Sequence, residues 1–125
     1  MNATVTGRLA GRIGRDGPIA YSEFVEAALY GPGGFFTSGG GPGRSDGDFL
    51  TSPETGSLFG ALVAGALSDW WAEMGSPDPF FVVEVGAGDG RLAREVLRAS
   101  PVCAPALRYV LVERSETARV AQGSS

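Results

Sequence analysis

"FFVVEVGAGDGRLAREVL", residues 80–97, decides how this chain is to be read. Phe80–Val85 is an unbroken run of aromatic and β-branched residues with one acid. That is the pattern of a central parallel strand covered on both faces. Gly86, Gly88 and Gly90 follow at alternate positions. Residues 89–98 then carry Leu92, Val96 and Leu97 against Arg91, Arg94, Glu95 and Arg98, which is helical spacing. After the loop "SPVCAPA", the segment "LRYVLVE" reads as a second strand, and Ser115 is placed to cap a further helix. Strand, helix and strand with a crossover of this length make a right-handed βαβ unit.

A strand that ends in Gly-x-Gly-x-Gly at the mouth of a helix has the form of a nucleotide-type cofactor site. Missing side chains let a ligand touch the backbone, and the helix N-terminus is expected to offer free N–H groups. The dinucleotide fingerprint G-x-G-x-x-G is not met, because its last position holds Arg91. That disfavours a fragment of an NAD-dependent oxidoreductase. A P-loop would need a lysine, and the chain contains none. What remains is Glu84-x-Gly86-x-Gly88-x-Gly90, whose carboxylate disfavours a pyrophosphate and suits a cationic ligand. Glu113 closes the second strand, where an acid can accept both hydroxyls of a ribose; its plainer reading is a solvated strand-end residue. Taken with the glycines, ribose binding is the favoured reading. A ligand with a ribose and a cationic group but no pyrophosphate is S-adenosylmethionine.

Upstream, Val5, Leu9 and Ile13 predict a short amphipathic helix over 4–14. "IAYSEFVEAALYGPG" predicts a second, capped at Ser22 or slightly earlier and stopped by Gly31 and Pro32. Residues 31–47 hold eight glycines and two prolines. They read as a mobile connector, with a lid over a site as the alternative, motivated by Phe35–Phe36. Then Thr51 or Ser52 is placed to cap, Pro53 suits a first helical turn and Glu54 favours the helix dipole. Leu58, Phe59, Leu62, Val63, Ala66, Leu67, Trp70, Trp71 and Met74 predict a long helix with a wide buried face, ended near Gly75. The tryptophans read as core. Two regions are expected: 1–76, helical with the Gly-rich loop 31–47, and 77–125, the start of a Rossmann-like cofactor-binding domain.

Composition removes other classes. The chain has 125 residues and a net charge of −4, and its ten basic residues are scattered arginines. Without a basic stripe, nucleic acid is excluded as primary partner. Cys103 is the lone cysteine and histidine is absent, so an intrachain disulfide and His/Cys metal sites are ruled out. Cys103 reads as a passive apolar residue. The N-terminal stretch lacks an apolar signal region and no apolar run reaches a membrane span. A soluble cytoplasmic protein with no membrane partner is expected.

Three segments, "GPIAYSEFVEAALYGPGGFF", "GDFLTSPETGSLFG" and "VVEVGAGDGRLAREVL", together resemble the N-terminal third of the MidA family. These are S-adenosylmethionine-dependent methyltransferases that include the mitochondrial complex I assembly factor, an arginine methyltransferase. The resemblance implies an α/β fold: a truncated Class I (Rossmann-like) methyltransferase, with N-terminal helices before one βαβ unit of a parallel sheet. It implies that Glu84, Gly86, Gly88 and Gly90 are the cofactor motif and Glu113 the ribose acid. Thr51, Ser52, Pro53 and Glu54 would sit close to the cofactor pocket. Glu54 is the acid offered for an arginine acceptor of a protein substrate; the catalytic residues are otherwise unassigned. Two departures stand out. Many relatives have Pro then Arg where this chain has Ala87 and Asp89, and Asp89 adds negative charge beside the site. Thr55 and Gly56 replace a more usual Ile-Ser pair. The resemblance further implies a fragment without turnover of its own, prone to self-association through an exposed sheet edge. A non-enzymatic assembly or scaffold protein with a methyltransferase-like fold is the alternative.

Overall fold

The computed structural model describes residues 4–41 and 48–123. In chain order the elements are α1 (Val5–Asp16), α2 (Tyr21–Leu29), a 3-10 turn (Ser52–Thr55), α3 (Ser57–Glu73), β1 (Phe80–Val85), α4 (Arg91–Arg98), β2 (Leu107–Val112) and α5 (Glu116–Gln122). β1 and β2 pair in parallel, from Phe80 against Leu107 to Val85 against Val112. The predicted βαβ unit is therefore present, and the α/β class with it.

The core lies between α3, α4 and one face of the sheet. Ala64, Leu67, Phe80, Val96, Cys103, Ala106 and Leu107 form it, with Val63, Trp71, Val82, Leu92 and Tyr109 packed against it. Fully burying a side chain such as Leu67 stabilises the fold by about 1.5–3 kcal/mol. Gly60 lets α3 approach α4: a Cβ there would lie 2.4 Å from the Cβ of Glu95. Trp71 satisfies its indole N–H on the Pro77 carbonyl at 2.9 Å.

The structure departs from the sequence reading in four places. Burial alternates along β1 and β2, so only one sheet face is covered among the described residues. Phe81, Val83, Val85, Val110 and Val112 are exposed on the other. The wide face of α3 is likewise half used, with Leu58, Leu62, Trp70 and Met74 exposed, because α4 covers one stripe only. Thr51–Glu54 do not open α3. Ser52–Thr55 form a separate 3-10 turn just after Thr51, and Gly56, at φ 147°, breaks the chain before α3 begins. Finally, α2 starts at Tyr21, so Ser22 is inside it; the Glu23 carboxylate instead takes the Ala20 N–H at 3.1 Å.

Segment 31–41 is built of turns rather than left loose. Phe35 and Phe36 donate N–H groups to the carbonyls of Ala28 and Leu29, and Gly40 donates to Phe35. As expected, this half holds no helix or strand, and its turns are hydrogen-bonded to the end of α2; residues 42–47 lie outside the described residues.

Candidate functional site

Gly86, Gly88 and Gly90 have φ of 76°, 56° and 80°. Those are left-handed values that cost an L side chain about 1–2 kcal/mol. The glycines thus turn the chain out of β1 and straight into α4. At Gly86 and Gly88 an added Cβ would meet nothing within 4 Å, so the missing side chains leave open space. At Gly90 it would press Leu111 at 3.1 Å, so that glycine serves packing.

The open space belongs to a cleft of about 770 Å³, within the range of small-molecule sites. Its floor is Glu84 to Asp89, one wall is Arg91, Leu92, Thr51 and Pro53, and the opposite wall runs from Val112 to Ala121. Tyr30, Phe36, Gly39–Gly41 and Phe49 close a further side. Of the expected site residues, Glu84, Gly86, Gly88, Glu113, Thr51 and Pro53 line this one cleft. Gly90 lies behind it, in a small cavity with Leu111 and Gln122. Ser52 is exposed and outside the lining. Glu54 lies in the 3-10 turn, and its side chain is outside the described features.

Several N–H groups of the glycine loop, and the first of α4, are already engaged within the protein. Gly86 and Ala87 donate to the Val112 carbonyl, Gly88 to Glu113 Oε2 at 2.8 Å, Gly90 to the Ala87 carbonyl and Arg91 to Asp89 Oδ1 at 3.0 Å. With those donors engaged, the loop is poorly prepared for a pyrophosphate. Asp89 is not a bare charge beside the site either. It holds the first N–H of α4 and pairs with Arg94 at 3.2 Å.

Glu113 bridges the cleft. Its other oxygen accepts the Ser115 N–H at 2.7 Å. The Ser115 hydroxyl caps α5 at Ala118 and donates to the Phe36 carbonyl at 2.9 Å. Gln122 donates to the Gly88 carbonyl at 2.6 Å. The glycine loop, α5 and the N-terminal turns are thereby tied into one frame. Arg114 adds to it by pairing with Glu26 and lying 4.5 Å over the Tyr30 ring. Glu84 accepts from the Tyr109 hydroxyl at 3.1 Å. Burial lifts its carboxyl above the ordinary range; the Tyr109 bond opposes the rise and the nearby Asp89 charge adds to it. Burial, with the Glu84 charge, pushes the Tyr109 hydroxyl up as well.

Sequence reasoning missed Tyr30, Phe49 and the tie from Ser115 to Phe36. Ser115 showed only its capping pattern, and a contact between residues 79 positions apart leaves no local signal.

The glycine loop, the cleft it opens into and the acids at both strand ends all lie within or beside a segment matched by a family profile. The profile covers residues 62–125 and is described as "Putative S-adenosyl-L-methionine-dependent methyltransferase". The chain belongs to this family. Among curated proteins it is similar to the Protein arginine methyltransferase NDUFAF7 homolog, mitochondrial, of Drosophila melanogaster: 44% identity over 92 residues, 73% of this chain and 21% of that protein. The Danio rerio protein arginine methyltransferase NDUFAF7, mitochondrial, is 33% identical over 99 residues, 78% of this chain and 23% of the relative. The Homo sapiens protein of the same name is 34% identical over 88 residues, 70% and 20%. The chain therefore spans about a fifth of the length of the relatives it matches. Those relatives are mitochondrial by name, which overturns the expectation of a cytoplasmic protein.

Among the described residues no helix is long and apolar enough to cross a membrane, and no cluster of His, Cys, Asp and Glu is suited to a metal.

Proposed function

We propose that this chain supplies the cofactor-facing part of an S-adenosylmethionine-dependent protein methyltransferase, with an arginine side chain as acceptor. The observation that carries the reading is the vacated space at Gly86 and Gly88, which opens between the Glu84 and Glu113 carboxylates. The bound cofactor supplies an electrophilic methyl group on a sulfonium. Glu113, already oriented by two backbone N–H groups, has lone pairs left for the ribose hydroxyls. Glu84 lends negative potential to a cationic ligand at the loop. Thr51 and Pro53 close the wall beside α4, where they help to align the ligand and exclude water. The acceptor class rests on the names of the relatives, which are protein arginine methyltransferases.

Calorimetric titration with S-adenosylmethionine and S-adenosylhomocysteine tests the reading. Both ligands should bind, and Glu113→Ala should weaken them about ten- to a hundredfold, or roughly 1.4–2.7 kcal/mol. Absence of binding to the parent chain, or an unchanged affinity in the variant, would sink it. The 125 residues alone are expected to bind without turnover. The open edges of the two-stranded sheet support self-association of the same sample, which a strictly monomeric species in solution scattering would refute.

A further inference from the structure

The cleft holds two guanidinium groups, and they are differently committed. Arg114 is paired with Glu26 and stacked on Tyr30. Arg91, the first residue of α4, is half-buried and donates from Nε to the Pro53 carbonyl at 3.1 Å. That single bond fixes the guanidinium at the seam between the 3-10 turn and α4. Among the described residues no carboxylate lies within ion-pair distance of it, whereas Arg12, Arg94, Arg98 and Arg114 each have one. Among the described residues no partner is found for its two terminal nitrogens, which can serve a group in the cleft. A half-buried cation without a counter-ion carries a desolvation cost that a bound anion removes.

The floor of the same cleft carries the opposite sign, in the carboxylates of Glu84 and Glu113. A site with carboxylates along the glycine loop and one guanidinium at its wall matches a ligand that is itself zwitterionic. We infer that Arg91 is the specificity-determining residue for the α-carboxylate of the cofactor's amino-acid tail, receiving it on the two terminal nitrogens. The inference deepens the cofactor reading and rests on it. It also explains why an arginine is useful where a dinucleotide loop would need glycine. The side chain reaches a carboxylate at the end of the ligand, not a phosphate on the backbone.

The test compares S-adenosylhomocysteine, which carries the tail carboxylate, with 5′-methylthioadenosine, which lacks the tail, by calorimetric titration of the 125-residue chain. The parent chain should prefer S-adenosylhomocysteine. Arg91→Gln should weaken it about ten- to a hundredfold while changing 5′-methylthioadenosine less than about twofold. Arg91→Lys, which keeps the charge, should restore part of the loss. Equal losses for both ligands would show that Arg91 only braces Pro53, and would overturn the inference. So would no change for either. A parent chain that binds both ligands equally leaves the cofactor reading standing and removes this one. A parent chain that binds neither removes both.

Discussion

Two stretches of this chain are rich in glycine, and they use it in opposite ways. At Gly31, Gly34 and Gly40 the space vacated by the missing side chain is filled by the protein itself. A Cβ at Gly34 would lie 2.9 Å from the Leu29 backbone, and one at Gly40 would lie 2.7 Å from the Phe35 ring. In 86–88 the vacated space is left empty and faces the cleft. Glycine that packs against its own chain builds a wall, and glycine that packs against nothing makes room for a ligand. Composition alone does not separate the two cases; only what surrounds each Cα does.

Adding one methyl group to each stretch should expose that difference. Gly34→Ala is expected to have the larger effect on the free protein, because the methyl meets backbone that has no rotamer to yield. A loss of about 2–3 kcal/mol, at the upper end of overpacking costs, should appear in denaturant unfolding. A fully stable variant would mean that the 31–41 turns are not packed as described.

Gly88→Ala should cost less, about 1–2 kcal/mol for its left-handed φ of 56°, because the methyl collides with nothing. Its larger consequence should be for binding, since the methyl stands in the space assigned to the cofactor. A Gly88→Ala protein that titrates with S-adenosylhomocysteine like the parent would show that the space is not the ligand's.

How far the sequence could be read follows the same division. The βαβ unit was legible because its signals are local: a strand run, alternate glycines and helical spacing lie within 33 residues, Phe80 to Val112. Glu84, Gly86, Gly88 and Glu113 were legible as a set because the parallel register brings the ends of β1 and β2 side by side. The side of the cleft made by Tyr30, Phe36, Gly39–Gly41 and Phe49 was not, because it is held by contacts such as Ser115 to Phe36 and Arg114 to Glu26 across most of the chain. The apolar surfaces of α3 and the sheet were over-read for a related reason. An apolar stripe states that a face is suited to burial, and Trp70 and Phe81 remain exposed because burial also needs a covering element. The extra 3-10 turn escaped notice because Pro53 suits either kind of helical start.

The smallest expected effect concerns the acid that leads into the second glycine stretch. Around 31–41 the polar groups find partners in their own turns, as Thr37 and Ser38 do on the Gly34 carbonyl. Glu84 sits in the cleft with one hydroxyl partner and a carboxyl raised above its ordinary range, chiefly by burial. The folded state therefore holds that proton more tightly than the unfolded state does. The contribution to stability is fully present below the unfolded value of 4.5 and is lost as pH rises through the raised folded value. Glu84→Gln removes the ionisable group while keeping an acceptor for Tyr109. The unliganded variant should be slightly more stable than the parent at neutral pH, with the advantage shrinking as pH falls toward 4.5. Denaturant midpoints at several pH values read this directly. A variant less stable at neutral pH would mean that the Tyr109 bond to a charged acceptor outweighs desolvation. Glu84 would then belong with the self-satisfied groups of the first stretch, not with the features of the second that a ligand is left to complete.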